Sequence, residues 1–141
     1  MNKVERHKLR WDCEKKGCFN YYNRPRLEIF ADCFPGDIAF GDIDGAVEIN
    51  GYELRLEWKP TRDISRGQKI MFERLSKTVV TTIVVSGTIP TMFVESFCIF
   101  SEGQQSKWKY CGGNIEKLTK FIKAWVKIVQ AAKRPTGVKY E

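Results

Sequence analysis

The chain has 141 residues, 43% hydrophobic and 29% charged, which fits one domain with a sizeable core and excludes disorder as a description of the whole. Its 24 Lys and Arg against 17 Asp and Glu leave a net charge of +7. All of that excess falls in residues 103–141, because residues 1–102 hold equal numbers of acids and bases.

Such asymmetry points to a polyanionic partner, nucleic acid before membrane. No apolar run reaches the roughly 18 residues of a membrane span, and no apolar signal core follows the charged stretch Met1–Arg6. A soluble, cytoplasmic chain is therefore expected. The five cysteines include no CxxC pair and share the chain with a single histidine, His7. That argues against a zinc knuckle or a disulfide framework and for buried free thiols.

Residues 3–16 read as a helix closed by Gly17. A strand or short helix is expected between Arg26 and Phe30, and a turn at Pro35-Gly36. From Asp37 to Lys59 the pattern is that of a β-hairpin. Asn50-Gly51 is the dipeptide that most readily takes the left-handed angles of a type I′ turn, and alternating apolar and polar residues flank it. With those two residues in the turn, Ile49 pairs with Tyr52 and the register of both strands follows. One face carries Ile43, Val47, Ile49, Tyr52, Leu54, Leu56 and Trp58; the other carries Asp42, Asp44, Glu48, Glu53, Arg55, Glu57 and Lys59. At roughly 1.5–3 kcal/mol per buried large apolar side chain, the first face fixes the register.

Pro60 stops the second strand, and Ser65-Arg66-Gly67-Gln68 opens a helix with Met71, Phe72 and Leu75 at helical spacing. The β-branched run Val79–Ser86 predicts a buried strand, and Met92–Phe100 another. Asn114–Lys133 is an amphipathic helix, with Ile115, Leu118, Phe121, Ile122, Trp125, Ile128, Val129 and Ala132 on one side and Lys120, Lys123, Lys127 and Gln130 opposite. The sum is an α/β fold: a central mixed β-sheet flanked by helices, in one domain.

The hairpin's polar face is where chemistry concentrates. The register sets Asp44 opposite Glu57, with Cβ atoms about 4.5–5.5 Å apart, and Asp42 opposite Lys59. Facing carboxylates destabilise a sheet unless a cation or proton compensates. Carboxylates at this spacing suit Mg²⁺, which takes one or two protein carboxylates and fills its other positions with water and substrate phosphate. The Lys59 ammonium would hold the phosphate or help orient and deprotonate an attacking water.

Ile43-Asp44, a twelve-residue gap and Glu57-Trp58-Lys59 resemble the PD-(D/E)XK nuclease superfamily signature. Gln68, nine residues after Lys59, resembles the extra glutamine of several branches, including the virus-type replication-repair nuclease domain. Small Holliday-junction resolvases and phage endonucleases are stand-alone members. The likeness covers about residues 3–86, with 92–134 as a basic strand-helix extension, and it departs from the family pattern where Ile43 replaces the usual proline.

The resemblance implies a restriction-endonuclease-like core in the order α-β-β-β-α-β. It implies a Mg²⁺-dependent endodeoxyribonuclease, with Mn²⁺ as a substitute, acting in DNA repair or recombination, with branched DNA as a candidate substrate and a homodimer as a candidate assembly. Asp44 and Glu57 would hold the metal together with the Trp58 carbonyl, Lys59 would be catalytic and Gln68 auxiliary. Asp42 stays an alternative to Asp44, and Glu5 or Glu14 would add an acid from the first helix. Arg62, Arg66 and Lys69 are the candidate DNA-phosphate contacts. The competing readings are a solvated hairpin face with ordinary ion pairs, a Ser65–Gln68 capping box, and a nuclease-like module that binds nucleic acid or protein without cutting.

Overall fold

The computed structural model describes residues 1–8 and 22–135. The chain divides into two compact units, Met1–Asp42 and Ile43–Glu141.

In the first unit, helix α1 spans Lys3–Arg6 and is a single turn. Asn2 caps it in a reciprocal box: its side chain accepts from the Glu5 N–H at 2.9 Å, and its own N–H donates to the Glu5 carboxylate at 3.2 Å. The helix ends at His7, well short of the expected residue 16; the rest of that expectation, with Gly17, lies outside the described residues. Between Arg26 and Phe30 the alternative of a strand resolves to helix, since Leu27–Cys33 is a 3-10 helix. The Pro35-Gly36 turn is present, with Gly36 at φ 57° and Ile38 N–H donating to Pro35.

The second unit is α/β, an open, mixed six-stranded sheet with a helix on each face. Strands β1 (Gly45–Ile49) and β2 (Tyr52–Lys59) form the hairpin, with Asn50 at φ 56° and Gly51 at φ 86° as the turn requires. The expected register holds from Ile49↔Tyr52 to Gly45↔Leu56. Asn50 is held further by its amide, which donates to the carbonyls of Val129 and Ala132 at 2.9 Å each.

Helix α2 (Arg66–Ser76) carries the chain to β3 (Val80–Thr88), which pairs parallel with β2. Strand β4 (Phe93–Ser101) returns antiparallel to β3. Two short strands, β5 (Gln104–Gln105) and β6 (Lys109–Gly113), both pair with β4; neither was expected from the sequence. Helix α3 (Glu116–Ala131) closes the unit.

Alternation in β2 sends Leu54 and Trp58 into a core with Ile83, Val85, Val94 and Phe97 beneath Leu118, Trp125 and Val129 of α3. The opposite face is closed by α2, whose Phe72 packs on Val84, Cys98 and Phe100. The apolar side of α3 is narrower than its sequence predicts: Ile128 is 68% and Ile115 42% exposed. Among the described residues no helix is long and apolar enough to cross a membrane. Cys98 and Cys111 are buried free thiols as expected, whereas Cys33 is exposed; Cys13 and Cys18 lie outside the described residues. Burial pushes the Cys98 thiol up to about 11, so it stays protonated.

Candidate active site

The hairpin ladder stops at Gly45↔Leu56, one pair short of Asp44 and Glu57. The expected cross-strand pairs Asp44–Glu57 and Asp42–Lys59 therefore do not form as ladder pairs. Asp42 ends the first unit and lies ahead of the strand. Asp44 instead folds its side chain onto the backbone of β2: its Oδ2 accepts the Trp58 N–H at 2.6 Å. A short carboxylate here takes the donor that a longer β1 would have satisfied, which is how aspartate commonly competes with a ladder.

The geometry of β2 shows what this places together. Glu53 donates its N–H to Val79 on the β3 side, so by alternation Trp58 turns both its N–H and its carbonyl toward β1. The Asp44 carboxylate and the Trp58 carbonyl thus share one edge, and the residues flanking Trp58 are Glu57 and Lys59. Since Leu54 and Trp58 enter the core under α3, Glu57 and Lys59 lie on the face closed by α2. In register, Glu57 meets Val84 and Lys59 meets Ser86 of β3, and these meet Cys98 and Ser96 of β4. Lys59 is half-buried, and among the described residues its ammonium makes no hydrogen bond or ion pair.

Further along the polar face, Arg55 pairs with Glu53 at 3.0 Å, the ordinary ion pairing expected of a solvated strand face. Gln68 stands in the first turn of α2, where the Ser65 hydroxyl accepts its N–H at 3.2 Å. The reciprocal half of a capping box is missing: among the described residues the Gln68 amide side chain makes no hydrogen bond. Arg66 and Lys69 are exposed one turn apart on the same helix. Glu5 belongs to the first unit, where it completes the α1 cap, and Glu14 lies outside the described residues.

Arg62 is placed differently from a free phosphate contact. Its Nη2 donates to Glu95 Oε1 at 2.7 Å, and its Nε donates to Glu95 Oε2 at 3.2 Å and to Ser96 Oγ at 2.9 Å. The guanidinium also lies 5.7 Å from the centre of the Trp108 ring. Glu95 reaches this partner because β4 bulges there: Ser86 pairs with Ser96, but Gly87 pairs with Val94, leaving Glu95 over. Gly87 makes the bulge feasible, since a Cβ on it would stand 2.0 Å from the Phe93 carbonyl oxygen. The Ser96 hydroxyl donates to Glu95 as well, and Ser86 reaches the same carboxylate.

Glu95, Ser86 and Ser96 were not singled out from the sequence. The available signal was a lone carboxylate inside the otherwise uncharged strand 92–100. The Arg62 guanidinium, followed by Ser96, holds the Glu95 carboxyl down at about 2. A carboxylate depressed on folding stabilises the fold above its ordinary range, near pH 4.3, and that contribution is lost as pH falls toward about 2. Between those limits the melting temperature of the parent should fall more steeply with acidification than that of Glu95→Gln. Parallel slopes in a thermal melt series would show that the ion pair contributes nothing.

Among the described residues no group of three His, Cys, Asp or Glu gathers closely enough to hold a metal ion. At the Trp58 edge the donors are oxygens, the Asp44 carboxylate and the Trp58 carbonyl, with the Glu57 carboxylate on the neighbouring residue. That set fits Mg²⁺, which binds through one or two carboxylates and keeps several waters, and does not fit zinc. No family model, curated protein or solved structure matches the chain.

Proposed function

We propose that the chain is a metal-dependent endonuclease with a restriction-endonuclease-like core of the PD-(D/E)XK type, hydrolysing DNA phosphodiester bonds. The observation that carries this reading is the 2.6 Å bond from the Trp58 N–H to Asp44, which anchors an aspartate on the residue between Glu57 and Lys59. The hairpin, the α2 crossover and the parallel return of β3 support it, because that order brings an aspartate from the start of edge strand β1 onto the Glu-x-Lys of β2, although among the described residues two strands and not three precede α2.

Asp44, Glu57 and the Trp58 carbonyl would hold Mg²⁺, with Mn²⁺ as a substitute. When bound, the ion supplies positive charge that activates water and neutralises the phosphate. Lys59 extends from the same strand and orients the attacking water against the scissile phosphate. Gln68 offers an uncommitted amide from α2 as an auxiliary hydrogen-bonding group, and Arg66 and Lys69 on that helix contact phosphates of the bound strand. Arg62 supports the site at one remove by fixing Glu95 in the bulge.

The test is cleavage by the purified chain of supercoiled plasmid, linear duplex and a four-way junction, each with Mg²⁺ and with EDTA. Cutting that needs Mg²⁺ is expected, and preference for the junction would mark a structure-specific enzyme. Salt-sensitive DNA binding with no cleavage in Mg²⁺ or Mn²⁺ would replace this reading by a binding module.

A further inference from the structure

The face of the sheet opposite Lys59 carries a second charged feature. Between β4, β6 and α3 lies a cleft of about 570 Å³, within the size range of ligand pockets. Lys107 and Lys109 border it from the β5–β6 segment and Lys117 and Lys120 from the start of α3. Its apolar floor includes the half-buried Ile99 and Phe121, and Phe97 lies behind Phe121 with ring centres 6.1 Å apart.

Among the described residues no acidic side chain lines this cleft. All four lysines are exposed, and among the described residues none takes part in an ion pair. Lys117 donates to the Tyr110 carbonyl at 3.0 Å, a bond that leaves its positive charge uncompensated. Four ammonium groups from two elements around one cavity repel each other, and a ligand bearing several negative charges relieves that repulsion.

We infer that this cleft is a second nucleic-acid site, which takes an unpaired strand with its phosphates on the lysines and a base against the Ile99–Phe121 floor. Charge alone would accept duplex equally. The apolar floor favours a strand whose bases are unstacked and exposed, since a duplex turns its phosphates outward and hides its base faces. Because Lys59 is on the α2 face, a strand in this cleft is separate from one being cut.

The test is binding of a short fluorescent single-stranded oligonucleotide, measured by anisotropy in EDTA over a salt series, for the full chain and three variants. Lys109→Glu/Lys120→Glu should weaken binding at least about tenfold. It should also reduce the slope of log affinity against log salt by about 1.4, or 0.7 for each lost phosphate contact. Lys123→Glu/Lys127→Glu alters the same charge on α3 outside the cleft and should change affinity less than about threefold. Arg74→Ala, exposed on α2 and outside both sites, should leave this binding unchanged.

Unlabelled single strand should compete better than duplex of the same sequence, free nucleoside monophosphate or phosphatidylserine vesicles. Equal weakening by the two double variants would reduce the effect to bulk charge and overturn the site. So would better competition by duplex, mononucleotide or vesicles. Because EDTA suppresses cutting, absence of nuclease activity would leave these outcomes intact.

Discussion

Lys59→Ala is expected to lower Mg²⁺-dependent cleavage at least about a hundredfold while leaving the melting temperature close to that of the parent. The two halves of this expectation rest on one observation: among the described residues the Lys59 ammonium has no hydrogen bond or ion pair. Truncating it removes no partner from the fold. Its half-buried aliphatic stem stands beside Ser86 in register. A structural lysine would behave in the opposite way, losing stability with its charge. Lys59→Arg sharpens the point, because it keeps the charge but spreads it over a planar fork, which a site needing a compact ammonium does not tolerate. Initial rates on supercoiled plasmid and thermal melts of the three proteins measure both quantities. Parental cleavage by Lys59→Ala would remove Lys59 from the reaction and return this face to an ordinary solvated strand.

How much of this could be read from sequence depends on how local the governing physics is. Asn50-Gly51 fixed the turn because positive φ at two successive residues is a property of those residues themselves, and everything in register with them followed. The run Val79–Ser86 likewise announced a buried strand through β-branching, and it is one, extended to Thr88. Strands β5 and β6 were illegible because their pairing comes from β4. Neither Gln104-Gln105 nor the glycine-containing Lys109–Gly113 has much strand preference of its own.

The same dependence on neighbours governs α3. Its period marked the apolar direction, but how much of that side is covered is set by the sheet, so Ile115 and Ile128 remain outside. At the site, strict alternation could not foresee the Glu95 bulge. Val94 and Phe97, three residues apart, enter one core, and the extra residue between them turns a carboxylate toward Arg62. The hairpin's end was legible in its residues and not in its geometry. Asp44 and Glu57 were read as a ladder pair, whereas the aspartate side chain satisfies the Trp58 N–H itself.

That bond makes Asp44 the most informative position to change, because its structural role and the chemical role proposed for it separate. Asp44→Asn keeps an oxygen able to accept the Trp58 N–H but removes the negative charge that would attract Mg²⁺. Cleavage should fall by roughly a thousandfold, the scale on which loss of a charge-stabilising group acts, with the melting temperature little changed. Asp44→Ala removes both functions and leaves a partly buried backbone donor without its acceptor. It should lose cleavage to the same degree and in addition about 1–3 kcal/mol of stability, read from urea unfolding midpoints at constant slope. Raising Mg²⁺ or substituting Mn²⁺ should recover part of the Asn variant's rate, since Glu57 and the Trp58 carbonyl remain in place. Parental cleavage by Asp44→Asn, alongside instability of Asp44→Ala, would assign this carboxylate to holding the end of the hairpin alone, and the nuclease reading would lose its central observation.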